Sequence, residues 1–160
     1  MITPKSISIV IPIFNEEKTL IGVVEKLIHS LKEITDKLEI LLIENGSTDQ
    51  SLFIAKSLSN KYAVIKVKHL AQANYGLALK TGFQLAKSAL VINFSVDWVD
   101  IPFLKKAILN SNLYDIIIAS KLNNLSLDER PMVRRIGGLL FHKLTKLVLG
   151  LPLSDTHGIR

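Results

Sequence analysis

The sequence predicts an α/β fold, in which a mostly parallel sheet carries helices on both faces. Apolar strand-like segments alternate with segments of helical periodicity along most of the chain, which is the pattern of repeated β–α units. The strand-like segments are apolar almost throughout, as expected for strands that are covered on both faces. Two of them lead directly into loops rich in acidic and amide residues. Such loops place polar groups at the ligand-binding edge of an open sheet.

Three strands and two helices are predicted in the first half of the chain. The strands cover 6–11, 38–43 and 63–67. Apolar residues at helical spacing follow the first strand at Leu20, Val23, Val24, Leu27, Ile28 and Leu31, and the second at Leu52, Phe53, Ala55 and Leu58. Asn15 and Ser47 precede these helices, so we expect both to be helix caps. Glu16 and Glu17 suit the positive end of the first helix.

The second half of the chain continues the alternation and then changes character. The predicted elements are a helix over 75–86, a strand over 89–94, a short helix over 102–109, a strand over 115–119 and a long helix over 131–149. We expect Gly76 and Gly82 to permit close packing of the first of these helices. The length fits one domain over residues 1–160. The sequence ends abruptly at Arg160, which also fits a domain that is truncated at its C-terminus.

Composition limits the function classes. The net charge is +6 and there are no cysteines, so disulfides and thiolate metal sites are excluded. The basic residues do not form one long run, so we do not expect a nucleic-acid partner. No segment reaches the roughly 18 apolar residues of a membrane span. Pro12 and the acidic pair Glu16-Glu17 follow the first apolar run, which does not fit a signal peptide. We therefore expect a cytoplasmic protein.

The predicted helix over 131–149 is basic and apolar together. One interpretation is a helix that packs on the domain and leaves a solvated basic edge. The other is a surface helix at a membrane interface, because basic amphipathic helices adsorb to anionic lipid. Both remain open at the level of the sequence.

Four motifs, in order along the chain, resemble those of glycosyltransferase family 2. They are IVIPIFNE at 9–16, IENGSTD at 43–49, NYGLALKTG at 74–82 and, more loosely, DTHGIR at 155–160. Within the family they are most similar to the branch that transfers sugars to polyprenyl or dolichyl phosphate. The resemblance implies the GT-A nucleotide-diphospho-sugar transferase fold.

The resemblance also implies a site for a nucleotide-sugar donor linked to UDP or GDP. A base and a ribose present hydrogen-bond donors and acceptors that suit Asn15, Glu16 and Glu44. A carboxylate such as Glu44 at the end of a buried strand needs a polar partner. The donor-binding residues implied by the resemblance are Pro12, Phe14, Asn15, Glu16, Glu44, Asn45, Gly46, Asn74, Lys80, Ser95 and Val96.

The family's metal motif is altered in this chain. The family places Asp-x-Asp after its fourth strand, whereas residues 95–97 here read SVD. The resemblance implies that Asp97 holds Mg²⁺ or Mn²⁺, and more weakly than is usual, because Ser95 is a neutral ligand in place of a carboxylate. Asp100 is either a further ligand or the cap of a helix that begins near Pro102.

A polyprenyl phosphate acceptor is already largely ionised near neutral pH, so it needs cations rather than a general base. The catalytic residues implied by the resemblance are Asp97, Lys121, Arg134, Arg135 and Arg160, and the implied acceptor contacts are Asp155 and His157. The alternative for each basic residue is an ordinary solvated charge.

The sequence therefore predicts inverting transfer of a sugar from a nucleotide-sugar to a polyprenyl phosphate, at the cytoplasmic face of a membrane. Two alternatives remain open. One is a family member that glycosylates a saccharide or lipid hydroxyl, for which Asp155 is the candidate base. The other is a degenerate domain that binds nucleotide-sugars without catalysis, which Ser95 favours.

Overall fold

The structure, a computed structural model, describes residues 6–32, 34–35, 37–97, 99–119 and 132–149. The elements are β1 (Ile7–Ile13), α1 (Leu20–Leu31), β2 (Leu38–Asn45), α2 (Ser51–Lys61), β3 (Ile65–Leu70), α3 (Tyr75–Leu85), β4 (Leu90–Asn93), α4 (Ile101–Asn110) and α5 (Met132–Leu149). The chain divides into two compact units, Met1–Asp115 and Ile116–Arg160.

The first unit is built on a parallel sheet in the strand order β3-β2-β1-β4. This confirms the predicted sheet type. The order reverses at β1, which pairs with β2 on one side and with β4 on the other. In open sheets of this kind, ligands bind outside the carboxyl ends of the strands, at the point where the order reverses.

Helices cover both faces of this sheet. Alternate residues of each strand point to opposite sides, so a strand that is apolar throughout presents an apolar surface on both faces. One face of β1 is a row of fully buried isoleucines that packs with apolar residues of α1, α2 and α4. The row consists of Ile7, Ile9, Ile11 and Ile13. On the other face, Val10 of β1 packs with Leu41, Ile43 and Ala78, the last of which belongs to α3.

Gly82 allows α3 to approach the sheet closely. A Cβ atom at this position would lie 2.2 Å from Cγ1 of Val10 and 3.2 Å from Cγ1 of Ile43, far inside van der Waals contact. The expectation of close packing at Gly82 is confirmed. At Gly76 a Cβ would meet, among the described residues, only Asn74 Oδ1, at an ordinary 3.6 Å, so close packing against them does not require that glycine.

The amino edge of the sheet is closed by a polar cluster. Ser8 is fully buried, and its hydroxyl donates to Glu39 Oε2 at 2.7 Å and accepts from the Ser88 N–H at 3.1 Å. Burial raises the pKa of Glu39, but hydrogen bonds from Lys66, Ser8 and the Lys87 N–H outweigh it and hold the pKa below its usual value. These groups satisfy one another and tie the strands together.

Several predicted boundaries and caps were wrong. The third strand is Ile65–Leu70 rather than 63–67. The strand therefore also contains the polar residues Lys68 and His69. Asn15 and Ser47 are not helix caps, because α1 begins at Leu20 and α2 at Ser51, and neither helix has a side-chain cap. For the same reason, Glu16 and Glu17 lie outside the first turn of α1.

No strand forms over 115–119, which corrects the prediction for that segment. Its isoleucines have strong strand propensity, but a strand also needs a partner for its backbone groups, and these residues join no ladder among the described part of the chain.

The second unit contains α5, which confirms the helix predicted over 131–149. Apolar side chains of this helix are more than half exposed at Ile136, Leu140, Leu144, Leu147 and Val148. Lys143 and Lys146 are exposed as well. Among the helices that the structure describes, none is long and apolar enough to span a membrane.

Replacing Gly82 with Ala should destabilise the protein by about 1–3 kcal/mol, because the new methyl overlaps Val10 in a packed core. Gly22→Ala on α1 is the matched control. A Cβ atom at Gly22 would have no neighbour within 4 Å among the described residues, so alanine there should stabilise the helix by about 0.5–1 kcal/mol. Urea denaturation of both variants measures the difference, and equal effects would contradict the close packing of α3.

Candidate functional site

Two polar loops lie side by side at the carboxyl edge of the sheet. The first loop is residues 14–19, after β1, and the second loop is residues 46–50, after β2. They emerge together because β1 and β2 are parallel neighbours, with Ile13 opposite Glu44. The loop that follows β3, residues 71–74, is exposed at the same edge.

One set of hydrogen bonds runs from the backbone of the first loop to side chains beyond β2. The pairs are the Asn15 N–H to Ser47 Oγ (3.1 Å), the Glu16 N–H to Ser51 Oγ (2.7 Å) and the Glu17 N–H to Asp49 Oδ2 (3.1 Å). Ser51, at the start of α2, is fully buried. Three consecutive N–H groups that no helix satisfies are therefore paired across the two loops.

A second set runs in the opposite direction. Asn15 Oδ1 accepts from the Thr48 N–H at 2.9 Å, and Glu17 Oε2 accepts from the Gln50 N–H at 3.1 Å. Asn15 adopts a left-handed backbone conformation, with φ at 57°, which asparagine tolerates better than most residues. Asn15 and Glu17 therefore hold the loops together, a role the sequence prediction did not foresee.

The second and third loops are also joined. The side chain of Asn45 is buried, and its Oδ1 accepts from the Asn74 N–H at 2.7 Å. Asn74 in turn caps α3, since its Oδ1 accepts from the Leu77 N–H at 2.9 Å. Gly46, with φ at 71°, presses against this loop, and a Cβ there would lie 3.0 Å from the Ala73 nitrogen.

Glu44 is the buried carboxylate of the site. It is 0% exposed, and its Oε1 accepts from the Ser47 N–H at 2.6 Å. Its Oε2 is hydrogen-bonded to Nδ1 of His69, the residue opposite it on β3. Burial raises the pKa of Glu44, but hydrogen bonds from Ser47 and His69 outweigh it and hold the pKa below its usual value. Glu44 is therefore ionised near neutral pH.

Ser95 and Asp97 follow β4, the other neighbour of β1. The Ser95 hydroxyl donates to Asp97 Oδ1, and the Asp97 side chain is exposed while Val96 between them is buried. A carboxylate and a hydroxyl are hard oxygen donors, the type that Mg²⁺ and Mn²⁺ prefer. The described residues contain no cluster of three or more acidic, histidine or cysteine ligands. This pair fits a cation that takes its other ligands from substrate phosphates.

Asp100 is a helix cap. Its Oδ1 accepts from the Phe103 N–H at 2.8 Å, at the start of α4. Of the two interpretations left open by the sequence, the structure supports the cap.

The remaining predicted site residues are placed as follows. Pro12 is half-buried in β1, Phe14 is exposed, and Glu16 Oε2 accepts from the Thr19 hydroxyl at 2.5 Å. Lys80 is exposed on α3. Arg134 and Arg135 belong to α5, but their side chains lie outside the described part of the structure. The predicted residues Lys121, Asp155, His157 and Arg160 lie outside the described residues.

The family model described as glycosyl transferase family 2 matches residues 8–150 of the chain. The chain belongs to glycosyltransferase family 2. This match includes all the loops described above and extends over most of the sequence, so the resemblance carried by the separate motifs is confirmed at the level of the family.

Relatives within family 2 are undecaprenyl-phosphate 4-deoxy-4-formamido-L-arabinose transferases. The chain is 27% identical to the one from Aeromonas hydrophila subsp. hydrophila over 157 residues, and 31% identical to the one from Pectobacterium atrosepticum over 155 residues. Each alignment covers 94% of this chain and 46% of the relative. The chain therefore spans about half the length of these relatives.

Solved structures agree on the fold. The crystal structure of S. aureus TarS 1-349 superposes with a TM-score of 0.54 at 22% identity, over 69% of this chain and 33% of that one. The expected GT-A α/β fold of this family 2 chain is confirmed.

Sequence reasoning missed three residues of the family 2 site: His69, Asp49 and Ser51. His69 lies on the same face of β3 as Ile65 and Val67, which pack in the core. Extending the predicted strand by two residues would have included it, and the register then places it opposite Glu44. Asp49 accepts from both the Glu17 and the Ser51 N–H groups. The contact with Glu17 joins separate loops, so no local pattern reports it, whereas the contact with Ser51 spans only two positions.

Replacing Ser51 with Ala should cost about 1–3 kcal/mol of unfolding free energy, because the Glu16 N–H loses its hydroxyl acceptor in a part-buried position. Ser57→Ala, at an exposed position on the same helix, is the control and should change stability by less than about 0.5 kcal/mol. Thermal or urea unfolding of both variants measures this. A neutral Ser51→Ala variant would show that the loops do not depend on each other.

Proposed function

We propose that this family 2 domain transfers a sugar from a nucleotide-sugar to a polyprenyl phosphate. The observation that carries the proposal is the convergence of the family-matched loops after β1, β2, β3 and β4 at one edge of the sheet, with the exposed Asp97 carboxylate among them. The relatives' names point to undecaprenyl phosphate as the kind of acceptor.

The proposed donor site uses the interlocked loops as a platform. The nucleotide of a UDP- or GDP-linked sugar would lie against Phe14, Gly46 and the loop at 71–74, which are accessible or half-accessible at this edge. Asn74 caps α3 and Lys80 lies on that helix, whose N-terminus favours negative charge such as phosphate. Asn15 contributes by fixing the loops through its Oδ1.

The proposed reaction is a direct displacement. An oxygen of the acceptor phosphate attacks the anomeric carbon of the sugar, the bond from that carbon to the diphosphate oxygen breaks, and the nucleoside diphosphate leaves with inversion at carbon. The second pKa of a phosphate monoester is about 6, so the attacking oxygen needs no general base. Lys121, Arg134, Arg135 and Arg160 are the proposed cations for the acceptor phosphate and the departing diphosphate.

Mg²⁺ or Mn²⁺, when bound, would neutralise charge on the departing diphosphate. Asp97 is the proposed carboxylate ligand, with the Ser95 hydroxyl beside it. This single carboxylate also supports a second candidate function, a domain that binds nucleotide-sugars without catalysis. Restoring the second carboxylate with Ser95→Asp distinguishes the two.

We also propose that α5 contacts the surface of a cytoplasmic membrane. Its exposed apolar side chains and its two exposed lysines, Lys143 and Lys146, suit an interface with anionic lipid. This contact would bring the lipid-linked acceptor to the protein.

The experiment measures thermal stability with UDP and GDP, with and without Mn²⁺, and then release of the nucleoside diphosphate from a sugar donor. The acceptor is undecaprenyl phosphate in anionic vesicles, and the control acceptor is the corresponding polyprenol. A nucleotide at 100 times its dissociation constant should add about 2.7 kcal/mol of stability. Release that requires the phosphate acceptor, and protein that sediments with the vesicles at low salt, are the expected results.

Release with the polyprenol alone would favour a hydroxyl acceptor and contradict the proposed one. Metal-dependent binding without release, followed by release in Ser95→Asp, would favour the non-catalytic candidate. Failure of the folded protein to bind either nucleotide would contradict both the transferase and the non-catalytic candidate. Failure to sediment with the vesicles would contradict the proposed membrane contact.

A further inference from the structure

The His69–Glu44 pair has no assigned function. The strand register aligns Ile13, Glu44 and His69 across β1, β2 and β3, at the carboxyl end of each strand. Glu44 is 0% exposed, whereas the His69 side chain is 47% exposed. A ligand at this edge therefore meets the histidine ring rather than the carboxylate behind it.

The protein fixes which face of the ring points outward. Nδ1 of His69 is hydrogen-bonded to the buried Oε2 of Glu44, so the exposed part of the ring is the side that carries Nε2. An ionised carboxylate only accepts hydrogen bonds, so the proton of this contact lies on Nδ1. In the neutral ring, Nε2 is then an acceptor, with its lone pair directed away from Glu44.

We propose that His69 is a specificity-determining residue for the nucleobase of the donor, accepting through Nε2 the ring N–H of uracil or guanine. The inference rests on the proposed function, because it names what the donor site recognises. Glu44 is a positioning residue: it holds the ring in place and selects its tautomer. The resemblance gave Glu44 the direct contact with the nucleotide, whereas here its oxygens are engaged by Ser47 and His69.

The chemistry predicts a preference among bases. Uracil at N3 and guanine at N1 carry a proton that an acceptor can bind. Cytosine at N3 and adenine at N1 present a lone pair, which would face the lone pair of Nε2. A site built around a ring N–H rejects analogues that lack it more strongly than a site built on apolar contacts, because the polar group of the site is left unpaired.

His69→Asn separates recognition from structure. The asparagine amide N–H takes the position of Nδ1–H and still reaches Glu44, but nothing replaces Nε2. The control is His29→Asn, at an exposed position on α1. Isothermal titration gives the dissociation constants of UDP, GDP and CDP for the full chain and both variants, and calorimetry gives each melting temperature.

We expect wild type and His29→Asn to bind UDP or GDP at least about tenfold more tightly than CDP. In His69→Asn, that preference should fall below about twofold, with little change in melting temperature. The preference is the ratio of two dissociation constants measured on the same folded protein. It therefore remains informative even if the variant is less stable. Retention of the wild-type preference in His69→Asn, or tighter CDP binding by wild type, would overturn the role of His69 but leave the proposed function standing. If wild type binds no nucleotide, the proposed function fails with it.

Discussion

The site depends on the reciprocal hydrogen bonding of two loops. Five backbone N–H groups find side-chain acceptors across the carboxyl edge of the sheet. Those of Asn15, Glu17, Thr48 and Gln50 pair with the other loop, and that of Glu16 pairs with Ser51 at the start of α2. This pairing is possible because β1 and β2 are parallel and in register, so that both chains leave the sheet at the same level. The N–H groups of Glu16 and Glu17 are paired in part-buried positions, where an unsatisfied group would cost about 1–3 kcal/mol, so the loops stabilise each other.

This constraint divides the polar residues of the site into two groups. Asn15, Ser47 and Asp49 bind the loops to each other, and Glu44 binds a loop backbone and a histidine. His69 and Asp97 are exposed at this edge, and they are the residues proposed to face a ligand. The loops of this site are already hydrogen-bonded to each other without a ligand, and such preorganisation reduces the ordering cost of binding.

The order and type of most elements could be predicted from the sequence, because apolar periodicity reports which segments are buried. The same reasoning failed where a contact between distant residues decides the structure. Asn15 and Ser47 match the helix-cap pattern, yet each pairs with the other loop. The segment at 115–119 has strand propensity but no ladder, and His69 was missed because its partner Glu44 lies 25 positions away.

The most direct test is an NMR titration of the ¹⁵N-labelled chain with UDP and Mg²⁺, repeated with Mn²⁺ in place of Mg²⁺. The largest amide shifts should fall in the two interlocked loops and in residues 69–74, with Mn²⁺ broadening centred on 95–97. These regions should respond together at a single dissociation constant, because the loops form one platform. Saturable binding that shifts only other regions, such as the amino edge around Glu39, would contradict this prediction.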